Sequence, residues 1–258
     1  MNLIQFVSIV DVQAKMSLKA EASRLYLSYL WWVLEPILYV LVFYLVFEVL
    51  LRTGKQNFLL FLILGKIPFL WFSKSVVTAS NSIVQNKGLI AQLSINKTLF
   101  PYISIQESLY KQWVVFIVML VLVLAYGLNI TSVWLWLVPL ILVQYLLIVL
   151  CSLIGSLLVS FVADFRILIS MGMMFLMFAS GIFWDINDIS SPAMRDAMMT
   201  YNPLAFILDS YRQVLMHQQL YDTSHLLSLA GIFLAGIILM HYTYKRLSPV
   251  ISEKVLQQ

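Results

Sequence analysis

Charge is what this sequence has least of: Asp, Glu, Lys and Arg make up 11% of its 258 residues, against 62% hydrophobic ones. A soluble domain of this size needs a charged surface, so lipid must be the solvent for most of the exterior. The apolar runs are continuous and do not alternate with polar residues, which excludes an outer-membrane barrel. A single cysteine, Cys151, lies in one of those runs, so an intrachain disulfide or paired-thiol motif is excluded. Gly54-Lys55 lacks the upstream glycine and the following Ser/Thr of a phosphate-binding loop. His217, His225 and His241 stand apart, without metal-ligand spacing, and no nucleophile–base set occupies a polar loop. The formal charge of +4 comes without the dense Lys/Arg cluster that nucleic-acid binding needs. The chain is therefore expected to do no covalent chemistry. If it moves something uphill, the energy has to enter through another chain.

What is present is an all-α integral membrane protein, read as one membrane domain over 1–258 with a mean hydropathy of +0.92. Six apolar runs reach the length a bilayer demands: 26–51, 58–83, 112–128, 133–162, 167–183 and 226–244. No basic–apolar–small signal-peptide order opens the sequence, so targeting is expected from the first span. Ahead of that span, 3–20 reads as an amphipathic helix. Leu3, Phe6, Val7, Val10, Ala14 and Leu18 share one face; Gln5, Ser8, Asp11, Lys15 and Lys19 share the other. It is too polar to cross and is expected on the membrane surface or against a cytoplasmic partner. Between the second and third spans, 88–97 reads as a short amphipathic helix. With little of its own chain to pack on, it suits lipid or a groove on a partner. Residues 184–225 form the longest mixed-polarity stretch. No internal repeat is visible, so the inverted-repeat plan of many secondary transporters has no support. With both termini inside, Lys15, Lys19, Arg24, Lys87, Lys97, Arg166, Lys245, Arg246 and Lys254 gather on the inner side. Only Arg52, Lys55, Arg195 and Arg212 fall outside, which sets the orientation by the positive-inside rule.

Several residues inside the apolar runs are more than a plain anchor needs. Trp32, Tyr39, Phe43 and Phe47 form a stripe at helical spacing on the first span, with Pro36 on the same face. Together with Phe69, Trp71 and Phe72 of the second span they either pack between helices or line a translocation channel and stack on sugar faces. Glu35 and Lys74 lie at similar depth, and ionised groups in lipid tend to pair or to face a wet cavity. A structural Glu35–Lys74 pair, or a contact of Lys74 with a substrate pyrophosphate, are the two readings. The relation of Lys66 to Glu48 is left open. Arg212 with Arg195 and Asp209 suits local ion pairing or substrate contact. Met171, Met173, Met174 and Met177 read as flexible packing.

Four motifs stand in order along the chain: Arg24 with Leu27-Ser28-Tyr29-Leu30-Trp31-Trp32-Val33-Leu34-Glu35-Pro36; Gly65-Lys66-Ile67-Pro68-Phe69-Leu70-Trp71-Phe72-Ser73; Lys97-Thr98-Leu99-Phe100-Pro101; and Tyr201-Asn202-Pro203-Leu204-Ala205 followed by Tyr211-Arg212. Each is weakly specific alone. In this order, with matching span lengths, they resemble the ABC-2 family of export permeases, in the branch that exports O-antigen, capsular polysaccharide and teichoic acid. The resemblance implies a homodimer bound to two copies of a separate cytoplasmic ATPase, with ATP and Mg at that partner and no cofactor on this chain. It implies export of undecaprenyl-linked polysaccharide, O-antigen foremost, from a multi-pass position in the bacterial cytoplasmic (inner) membrane with both termini cytoplasmic. The helix over 3–20 would be an interface helix, and Lys87, Leu89, Ile90, Leu93 and Lys97 would couple to the ATPase. Residues 186–222 would form two re-entrant helices with Asn202, Pro203 and Arg212 at the outer gate. Asn202 as a cap with Pro203 in the first helical position fits local rules as well. Capsular polysaccharide, teichoic acid or a small lipid or drug are the alternative cargoes. A polytopic membrane transferase is the enzyme alternative, disfavoured by the lean loops.

Overall fold

The computed structural model describes residues 2–24, 28–46, 57–93 and 95–257, and among these every regular element is a helix. In order they are α1 (Leu3–Arg24), α2 (Ser28–Tyr44), α3 (Phe58–Gln85), α4 (Lys87–Gln92), α5 (Leu99–Ala125), α6 (Leu137–Phe161), α7 (Phe165–Ala179), α8 (Pro192–Tyr201), α9 (Pro203–Leu215) and α10 (Thr223–Gln257). Short 3-10 turns precede α6 at Ser132–Trp136 and α8 at Ile186–Asp188. Four stretches of the described chain are long and apolar enough to cross a membrane: Phe58–Gln92, Leu99–Ala125, Ser132–Phe161 and Thr223–Gln257. Four of the six expected spans are thus present by length and composition. The described part of α2 has 17 residues and α7 has 15, which are shorter.

The centre of the bundle is α3. From Phe58 to Phe72 it is apolar around nearly its whole circumference, the pattern of a helix enclosed by others. It packs on α2, α5, α6, α7 and α9. Small residues set its approach to α6: a Cβ added at Gly155 would run into the Ser80 side chain, which turns back onto the Val76 carbonyl at 2.6 Å. Close backbone approach through small residues is how apolar helices associate where water supplies no driving force. On its other side α6 is clasped by α10. The Tyr244 hydroxyl lies 2.6 Å from that of Ser156 and donates to the Leu153 carbonyl at 2.9 Å. Gly236 leaves room there for the Leu150 side chain.

Two helices outrun their sequence expectation. The third span was expected at 112–128, yet α5 starts at Leu99. Its first turns carry Glu107, Ser108 and Lys111, which lower the hydropathy, but neighbouring helices cover them. Ser75 and Ser108 hydroxyls meet at 2.5 Å, and Lys111 pairs with Glu21 at 2.6 Å. Pro101, in the first turn of α5, leaves no helical bond unmade there. The last span was expected to end at 244, yet α10 runs on to Gln257, with Ile251 and Val255 fully buried in the core cluster.

The N-terminal helix packs on its own chain. Val10, Ala14 and Leu18, spaced four apart, are buried, and Phe6 meets the Tyr102 ring of α5 edge-on. The α1–α5 seam is fastened by Tyr110, whose hydroxyl donates to Asp11, and by the Glu21–Lys111 pair. Asp11 also receives Lys15 at 2.7 Å, and these two donors hold its carboxyl below the ordinary range. Val7, expected on the same apolar face, points outward with Ile4, Val12 and Met16.

Replacing Gly155 by Val should lower the thermal stability of the detergent-extracted protein by about 1–3 kcal/mol, the usual cost of overpacking. Adding Ser80→Gly should recover part of that loss, because the two sites share one contact. Equal melting temperatures for wild type and Gly155→Val would count against this seam.

Candidate functional site

The first polar layer is built around α9. Asn202 caps it: its side-chain oxygen accepts from the backbone N–H groups of Leu204 and Ala205 at 3.1 and 3.2 Å, and Pro203 takes the first helical position. The Asn202 amide also donates to the Ala179 carbonyl and Ser180 hydroxyl, at 3.4 and 3.3 Å, tying α9 to the end of α7. Almost all of α9 is then buried, Arg212 included at 1% exposure. Arg212 is held by main-chain oxygens and an aromatic ring. Its Nε donates to the Phe61 carbonyl at 3.2 Å, its Nη2 donates to the Ile182 carbonyl at 3.3 Å, and the guanidinium lies 3.5 Å from the Phe61 ring centre. Asp209 instead receives Gln213, and Arg195 makes only a loose contact with its neighbour Asp196. The space for the guanidinium exists because residue 65 is glycine: a Cβ there would lie 2.5 Å from Nη2. Gly65 and Arg212, read from two separate motifs, are one interaction.

One step along α3 is a second layer. The Tyr211 hydroxyl donates to Gln144 Oε1 at 2.8 Å, and Gln144 Nε2 donates to the Pro68 carbonyl at 2.8 Å, all of it buried. This chain links α9, α6 and α3. Net, each such bond contributes about 0.5–1.5 kcal/mol, and breaking one partner leaves a buried polar atom unpaired. Gln144 was not singled out from the sequence. A lone amide in the middle of an apolar span is the signal that marks it.

Of the proposed channel aromatics, Phe69, Trp71 and Phe72 are buried in the core. Trp71 packs edge-on against Phe116, with ring centres 5.6 Å apart, and stacks with Tyr145 at 6.5 Å. All three are about 2% exposed within the single chain. Tyr39 is 40% exposed. Phe47 and Glu48 lie outside the described residues, as do the side chains of Trp32, Pro36 and Phe43. Tyr39 also borders Lys66, whose ammonium lies 5.6 Å from its ring centre and 5.9 Å from those of Phe69 and Phe183, with Met177 Sδ at 2.8 Å. Met173 and Met177 pack on the core, whereas Met171 and Met174 point outward.

The third layer is ionic. Lys74 Nζ lies 2.5 Å from Glu35 Oε1, joining α3 to α2 with both side chains about half exposed. At this end of the bundle α4 follows α3 after the single residue Asn86. Its Ile90 is buried in the core cluster that also holds Ile251 and Val255 of α10, so α4 does pack on its own chain. Lys87, Leu89 and Leu93 are exposed. Lys97 is buried, donates to the Ile95 carbonyl at 3.0 Å, and burial draws its ammonium below the ordinary value.

Residues 13–216 match the family model described as ABC-2 type transporter. The chain is 27% identical over 238 residues to an O-antigen export system permease protein RfbA of Klebsiella pneumoniae, covering 92% of this chain and 91% of the relative. A second protein of that name and organism is 26% identical, covering 90% of both chains. One from Myxococcus xanthus is 27% identical, covering 90% of this chain and 89% of its own length.

Gly65→Ala should push Arg212 from its notch and lower stability by about 1–3 kcal/mol, read as a drop in melting temperature. An unchanged melting temperature would show that the notch is not tight. Reversing either charge of the Glu35–Lys74 pair should lower activity, and the swapped double mutant should recover part of it. No recovery would deny the pair a joint role.

Proposed function

We infer that this chain, which belongs to the ABC-2 type transporter family, is the permease subunit of an ATP-driven exporter of lipid-linked surface polysaccharide, O-antigen foremost. The observation that carries this is correspondence along about nine-tenths of the chain with relatives named for O-antigen export.

In this reading α2, α3, α5, α6, α7 and α10 cross the cytoplasmic membrane, with both termini in the cytoplasm. The 13 residues of α9 measure about 20 Å along the axis, short of a hydrocarbon core of about 30 Å. That length, and the polar anchors at Asn202 and Arg212, suit a re-entrant pair of α8 and α9 at the outer gate. The cargo is an undecaprenyl-linked glycan. Its path is a seam between two copies, since the core of one copy is filled by side chains. Exposed Tyr39 on α2 and the wholly unburied face of α7 fit that seam, with α2 of one copy near α7 of the other. The aromatic stripe of Trp32, Tyr39, Phe43 and Phe47 would hold sugar faces weakly at many places, so that the glycan slides. Phe69, Trp71 and Phe72 would act from behind, by stiffening α3. Two copies of an ATPase, carrying ATP and Mg, would dock at α4 through exposed Leu89 and Leu93.

Deleting the gene should abolish surface polysaccharide and leave lipid-linked glycan inside the cell, measured by gel and by fractionation. Surface glycan unchanged in the deletion strain would end this reading. Tyr39→Ala should lower export several-fold at unchanged protein level. Export equal to wild type in that variant would remove α2 from the path.

A further inference from the structure

Between α1, α2, α3 and α5 lies a cavity of about 360 Å³, within the range of small-ligand clefts of ~300–1,000 Å³. It lies where α2 meets α1, α3 and α5 of its own chain. Its lining is unusual for so apolar a protein. Glu21, Glu35, Glu107, Lys74 and Lys111 all reach it, and Ser104, Ser108 and Thr78 add hydroxyls.

Three features define what would fit. First, the charges nearly cancel. Lys74 holds Glu35 at 2.5 Å and Lys111 holds Glu21 at 2.6 Å, with Glu107 a third carboxylate. A phosphate would meet an excess of negative groups, and a lipid tail would desolvate them without return. Second, two lining side chains carry buried N–H groups with no partner: Nε1 of Trp71, a residue 2% exposed, and Nε2 of Gln112, 6% exposed. An orphaned buried donor costs about 1–3 kcal/mol, and native proteins keep few of them. Here two belong to side chains that line one cavity. Third, the Trp31 indole borders the space from α2 and offers an apolar face. Acceptors for the orphan N–H groups, hydroxyl donors for the carboxylates and a C–H face for an indole occur together on a neutral, polyhydroxylated ring.

We propose that this cavity binds one or two neutral sugar residues of the exported glycan, at the end of the bundle that carries α1 and α4. The site rests on the exporter reading and deepens it. It gives the permease a hold on its cargo within a single copy.

The test uses membrane vesicles holding the full chain with its partner ATPase, Cys151→Ala removing the native thiol and Thr78→Cys placing one in the cavity wall. Maleimide modification of that thiol should slow about fivefold or more in vesicles loaded with the cell's own lipid-linked glycan, but not with sugar-free undecaprenyl diphosphate. Gln112→Met should abolish the protection and lower export about tenfold. Its thermal stability should stay level or rise, since it removes an orphaned donor. Equal protection by the sugar-free lipid diphosphate would reassign the cavity to phosphate and overturn the proposal. So would an absence of protection by glycan, or Gln112→Met vesicles that export and protect like wild type. Surface glycan that persists when the whole gene is deleted would instead strike the exporter reading, and so separates the two failures.

Discussion

The buried guanidinium of Arg212 is the constraint around which this bundle is arranged. A cation in an apolar interior survives only where oxygen atoms are supplied, and here they are backbone oxygens, from Phe61 and Ile182. Supplying them demands that α9 lie directly against α3, and that approach demands a residue without a side chain at position 65. The neighbouring Tyr211 then reaches Gln144, and Gln144 reaches Pro68. Two adjacent residues on a helix too short to cross the bilayer thus fix it to two long ones.

Apolar packing alone would let these helices slide and rotate past one another, since Leu on Leu resembles Leu on lipid. Polar contacts select one register. They occur at intervals along α3: Arg212 beside Gly65, Gln144 at Pro68, and Glu35 at Lys74. The same logic holds α1 to α5, where Asp11 and Glu21 meet Tyr110 and Lys111 ten and more residues apart on α1.

Much of the fold was legible in the sequence because apolar length is itself a physical requirement of a bilayer. The cap at Asn202-Pro203 was legible because its chemistry is local. The meeting of Glu35 with Lys74 could be anticipated from depth and charge, and the structure brings the two together at 2.5 Å. The early start of α5 and the late end of α10 were hidden, since hydropathy counts Glu107 and Lys111 as polar whether or not α1 covers them. The destination of Arg212 was hidden for a different reason: its partners are main-chain carbonyls, which no residue letter records. For Phe69, Trp71 and Phe72, periodicity tells which rings share a face. Whether that face meets protein or open space depends on the helix beside it.

One junction carries a mechanical consequence. Between α3 and α4 stands only Asn86, while Ile90 of α4 is seated with Ile251 and Val255 near the far end of α10. Any displacement of α4 would therefore have two outlets. One leads straight up α3, and the other sideways into a 35-residue rod about 50 Å long. The small helix would then serve as a yoke, tying the end of one rod to the last turns of another.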